Sequence, residues 1–145
     1  MSEETLVNTA QYPEHLFQKA IAIIGIHAFV GWALCTASMG ISMATTTVEN
    51  ALIIHAVAAP IIFTAVSLVY FNKFNYTTPL KTASIFVSFV ILMDFFVVSM
   101  LVLGNFEMFA SLLGTWIPFS LIVASTYLTG SIVLRNKQAK QVGVH

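Results

Sequence analysis

Charge is so sparse in this chain that the charged positions cut it into membrane-sized blocks. Between Lys19 and Glu49 lie 29 uncharged residues, between Glu49 and Lys73 lie 23, and between Glu107 and Arg135 lie 27. From Lys81 to Glu107 the one charge is Asp94. A helix needs about 20 mainly apolar residues to cross the hydrocarbon core. Four spans are therefore predicted, at 20–44, 50–71, 80–103 and 109–134, between a polar tail (1–19) and a basic tail (135–145). A water-soluble fold is excluded by composition. Only 8% of the 145 residues are charged, against about a quarter in soluble domains.

Helix is the only conformation open to these segments, because backbone groups in lipid must be satisfied within the segment. The connections carry matching signals. Thr46-Thr47-Val48-Glu49 has the form of a capping box, with Thr46 as cap and Glu49 reaching back. Thr78-Pro79 reads as a cap followed by proline at the first helical position. Asn105 is expected to cap the fourth helix, with Glu107 in its first turn. Loops this short make consecutive helices antiparallel and adjacent. The fold class is thus an all-α, integral membrane four-helix bundle.

All six basic residues, Lys19, Lys73, Lys81, Arg135, Lys137 and Lys140, fall with the two tails and the middle loop. The other two loops hold Glu49 and Glu107 and no base. The positive-inside rule then puts both termini in the cytoplasm of a cell-membrane protein. The first span is expected to be a mature helix rather than a cleaved signal, since Glu3, Glu4 and Glu14 replace a basic leader. Tyr70 and Tyr76 suit the interfacial belt on the cytoplasmic side. Six bases balance six acids, so nothing indicates a nucleic-acid partner. A shift of 58 residues aligns Glu49 with Glu107, Pro60 with Pro118 and Ser67 with Ser125. Three matches in so biased a composition fall short of an internal repeat.

Ionisable groups inside spans are costly and mark interiors, partners or water-filled cavities. There are three: His27, His55 and Asp94. In a regular first hairpin, His27 is level with Ser67 and about 18 Å in depth from His55. The two histidines therefore cannot share one metal or one haem iron. In the middle hairpin Asp94 is level with Val57, about 3 Å from the depth of His55. An intramembrane polar site is expected at Asp94 and His55, with Thr115, Trp116 and Cys35 roughly level. A second polar layer is expected at His27, Ser67 and Tyr127. Pro60 and Pro118 should each remove a backbone bond within a span and kink it. Trp32, near mid-membrane, is read as core packing.

Small and polar residues recur at helical spacing on the first helix (His27, Gly31, Cys35, Ser38, Ser42), and small residues of this kind let helices pack closely. Cys35 is the single cysteine, so no disulfide forms within the chain. No phosphate loop, dinucleotide fingerprint, zinc motif or nucleophile elbow occurs, and no catalytic residue is assigned. Metal and cofactor are left unknown. The favoured reading is proton- or cation-linked movement of a small solute at His55 and Asp94. Four helices enclose little volume, so a homo-oligomer or a membrane-protein partner is expected alongside the lipid bilayer. The alternatives are a haem- or quinone-binding redox protein using His27 or His55, and a non-catalytic assembly subunit of a larger membrane complex.

Overall fold

A computed structural model describes residues 14–143. The first part of the polar N-terminal tail, with Glu3 and Glu4, lies outside the described residues. Four helices are long and apolar enough to cross a membrane, and there is no strand among the described residues. Helix α1 is Glu14–Thr45 and α2 is Val48–Lys73. Helix α3 is Pro79–Met93, prolonged by a π-helical segment, Asp94–Leu103. A short 3-10 turn, Glu107–Ala110, and a π turn, Leu112–Trp116, then lead into α4, Ile117–Val142.

The helices outlast the expected spans where nothing breaks them. Residues 14–19 already belong to α1, and the basic stretch after Arg135 stays helical as far as Val142. Arg, Lys, Gln and Ala are all good helix formers. The caps differ by one step from expectation at two places. Thr47, not Thr46, caps α2: its hydroxyl accepts the Asn50 N–H at 3.4 Å, while Thr46 accepts from the Asn50 side chain at 3.3 Å. Asn105 accepts the Glu107 N–H at 3.1 Å ahead of the 3-10 turn, whose cap position is Phe106, and so does not cap the fourth helix. The fourth span starts later, where Ser111 accepts from Gly114 at 3.0 Å. Thr78 and Pro79 begin α3 as the sequence indicates. Gly104, with φ of 65°, ends the π segment in the left-handed conformation open to glycine.

Consecutive helices are not all neighbours. The packed pairs are α1–α2, α2–α4, α4–α3 and α3–α1, which closes a square in the order 1-2-4-3. Helices α2 and α3 therefore lie across the diagonal despite their short loop. They meet through large rings, Phe63 against Phe86 at 5.8 Å and Tyr70 against Phe86 at 6.2 Å. This overturns the expectation that each short loop joins adjacent helices.

The half of the bundle nearer the chain ends is packed around large rings, with a second, smaller pocket of about 190 Å³ between α1 and α2 at Ile26, His27, Val30, Val66 and Val69. Phe63, Tyr70, Phe71 and Phe86 are fully buried there. Gly31 and Gly130 give the rings room: a Cβ on Gly31 would sit 2.7 Å from the Phe63 ring, and one on Gly130 2.6 Å from Phe71. Tyr70 does not belong to an interfacial belt. Its hydroxyl pairs with Thr77 at 3.1 Å and accepts the Tyr76 N–H at 3.2 Å, pinning the middle loop. Lys137 reaches from α4 to donate to the Phe71 and Asn72 carbonyls at 2.7 and 3.0 Å, satisfying the open end of α2. The opposite half is looser. It carries both π segments, and Ser99 is the one buried residue of the ten in Asp94–Leu103.

Pro118 lies inside the fourth span, Leu112–Val142, at the second residue of α4 and directly after the π turn, where its missing N–H leaves a carbonyl of that turn without its helical donor. Pro60 lies inside α2, which continues through it to Lys73. The two prolines occupy different structural places, which weighs against the 58-residue repeat.

Candidate functional site

The loose half encloses a cavity of about 280 Å³ with walls from all four helices. It runs from the level of Trp32, Val90 and Ile122 to Met43, Leu103 and Met108, where the two acidic loops lie. Beneath it stands the aromatic layer. The cavity is partly open and lies on the acidic-loop side of that layer. Its walls are chiefly apolar, and the ionisable groups on them are Asp94, His55 and Cys35.

Asp94 is the first residue of the π segment, and its own N–H is shared between the Ile91 and Val90 carbonyls. Because α3 packs on α1 and not on α2, the nearest polar side chain to Asp94 comes from α1. The Trp32 indole N–H donates to Asp94 Oδ1 at 2.9 Å. Oδ2 has no protein partner and is not sealed off, so it is left to the cavity. Trp32 is 9% exposed and leans on Phe29 at 5.7 Å, which fixes the indole.

His55 faces the same cavity from α2, on the diagonal from α3. The equal-depth estimate brings His55 and Asp94 to one cavity, but no hydrogen bond joins them. The Nδ1 of His55 is buried without a partner. Cys35, one turn along α1 from Trp32, is buried in the same wall.

Thr115 and Trp116 are drawn elsewhere. The Thr115 hydroxyl donates to the Met108 carbonyl at 2.6 Å, and the Trp116 indole to the Phe109 carbonyl at 3.0 Å. Both tie the 3-10 turn to the fourth span, and neither lines the cavity. The proposed second layer does not assemble either. His27 Nδ1 is 2.7 Å from the Ile23 carbonyl of its own helix and packs edge-on against Tyr70 and Phe74. Ser67 is fully buried with its hydroxyl unpartnered, and Tyr127 is 45% exposed on the outer surface. A helical histidine that satisfies itself on the preceding turn needs no polar neighbour.

Sequence reasoning missed the role of Trp32, whose ring was assigned to packing alone. The signal was present. A buried indole N–H needs an acceptor, and Asp94 is the one carboxylate inside a span. Among the described residues, no three His, Cys, Asp or Glu side chains gather as a metal site. No protein-family model matches the chain, and no curated protein or solved structure matches it either.

Proposed function

We propose that this protein moves a small solute across the cell membrane and that the movement is linked to a proton or cation at Asp94. The supporting observation is a partly open cavity within the bundle that carries the carboxylate of Asp94 on its wall. Alternating-access proteins hold their substrate near the membrane midplane and expose it to one side at a time. A partly open cavity that stops at a layer of aromatic rings is compatible with one such state. The π segment bearing Asp94, Val98 and Val102 is the deformable wall, as π geometry commonly is at functional sites. In this reading the base-rich end faces the cytoplasm and the cavity opens outward. A protease-accessible tag in the 104–108 loop should be cut from outside intact cells, and cutting only after lysis would reverse the orientation.

The test of function is uptake into proteoliposomes under an imposed pH gradient. Gradient-dependent flux lost in Asp94→Asn is the expected result. Flux that ignores both the gradient and the substitution would remove the proposal. The cofactor reading keeps one observation in its favour, the unpartnered Nδ1 of His55. His27 offers less, since its Nδ1 is engaged with a carbonyl and it lies outside the cavity. A colourless protein without extractable quinone after purification from native membrane would dispose of that reading.

A further inference from the structure

We infer that the solute is a lipophilic monocation, a protonated amine or quaternary ammonium compound, which exchanges with a proton on Asp94. This rests on the reading of the cavity as a solute site. The starting point is charge balance. Every Lys and Arg of the chain belongs to the opposite end of the bundle; along α3 the nearest, Lys81, is thirteen residues from Asp94, about 20 Å. The one bond to the carboxylate comes from a neutral indole N–H. An ionised carboxylate in an apolar, membrane-buried cavity is costly unless something neutralises it. Within the bundle only a charged His55 could, and no hydrogen bond joins it to Asp94, its Nδ1 being buried without a partner. The counter-charge must be a proton or must arrive with the ligand.

The walls decide what sort of cation that is. A small, strongly hydrated metal ion demands a shell of several oxygen ligands, and the cavity offers few beyond Asp94. A cation whose charge is spread or clothed in alkyl groups surrenders its water readily. The indole of Trp32 and the ring of Phe119 give it aromatic surface. Met39, Met43 and Met108 supply deformable thioether walls towards the mouth. Anions are opposed by Asp94, and a neutral molecule would need Asp94 to stay protonated, whereas a cation supplies the counter-charge itself.

The titratable groups facing Asp94 are few. Helix α1 presents Cys35, α2 presents His55, and the π turn and α4 present Gly114, Pro118, Phe119 and Ile122, none of which titrates. Protonation of Asp94 and binding of the cation therefore exclude each other. Affinity falls as the pH falls, towards a limit of one proton released per cation bound. A charged His55 would also repel the ligand, and His55→Gln removes that contribution while leaving the carboxylate in place.

The test uses the full chain in nanodiscs with Trp116→Phe, which leaves Trp32 as the one tryptophan. Benzyltrimethylammonium and its uncharged isostere neopentylbenzene are titrated while the Trp32 emission is followed. The cation should bind at least about tenfold more tightly than the isostere, as expected for a desolvated charge beside a carboxylate. In Asp94→Asn, which keeps an oxygen for the indole N–H, that preference should vanish through loss of cation affinity alone. Equal binding of the two compounds by the unsubstituted site would overturn the cation inference and leave the solute cavity standing. Failure of both compounds to perturb Trp32 would overturn both. The comparison of ligands needs no substitution at Asp94, so a misfolded variant does not rescue the idea.

Discussion

The two halves of this bundle are built from the same four helices but obey different rules. Near the chain ends, glycines accept aromatic rings, Tyr70 pins a loop and Lys137 closes the end of α2. Near the acidic loops the helices loosen into π geometry around a cavity that holds the one intramembrane carboxylate. Protein interiors are normally packed to the density of organic crystals, so the contrast separates a closely packed half from a hollow one. A membrane bundle gains little from hydrophobic burial between helices and depends on fitted contacts. It spends those contacts in one half and withholds them in the other.

The largest expected effect comes from filling space in each half in turn. Gly130→Val places a branched side chain against the Phe71 ring and Pro79, 2.6 and 2.9 Å from the first added carbon. It should cost about 3 kcal/mol, as severe overpacking does. Gly40→Val, on the cavity wall with nothing within 4 Å of its Cβ, should cost less than about 1 kcal/mol, since valine is the better helix former. Unfolding in detergent measures both. Equal losses would erase the distinction between the halves.

Next in size is the bond that joins α1 to α3. Trp32→Phe removes the N–H from Asp94 and should cost about 1–2 kcal/mol, the ordinary penalty for stranding a buried acceptor. Repeating it on Asp94→Leu should cost about 1 kcal/mol less, the coupling expected of two groups in contact. An additive cycle would mean that the bond contributes nothing. In the filled half, Lys137→Met gives up two carbonyl partners and should lower stability by about 1 kcal/mol, without altering ligand binding to the cavity. The smallest effect lies at the cap of α2. Thr47→Ala should cost about 0.5–1 kcal/mol, and Thr46→Ala distinctly less, because only Thr47 accepts the backbone N–H.

Much of the fold is legible from where charge is missing. Uncharged runs set the number of spans, and Thr78-Pro79 marks the start of α3 within a residue. The depth of His55 and Asp94 follows from counting along helices, because rise per residue is nearly constant. Lateral placement is not legible in the same way. Loop length says that α2 and α3 are consecutive, not that α1 and α4 separate them, so the count brings His55 and Asp94 to one level but cannot choose Trp32 as the partner. Thr115 and Trp116 look like site residues on a regular helix. They leave the site because the chain first forms a 3-10 turn and a π turn there, and their polar atoms satisfy the carbonyls of Met108 and Phe109. Ring packing at Gly31 and Gly130 likewise depends on which helix lies opposite, which local pattern does not encode.

The contrast between the halves is tested most directly by thiol accessibility. In a Cys35→Ser background, Val98→Cys places a thiol on the cavity wall, and Thr126→Cys places one in the filled half, where Thr126 is fully buried. A water-soluble thiol reagent should modify Val98→Cys, more slowly when benzyltrimethylammonium is present, and should leave Thr126→Cys untouched in the folded protein. Equal reactivity at the two positions, or an inert Val98→Cys, would contradict the division of the bundle into a sealed scaffold and an open site.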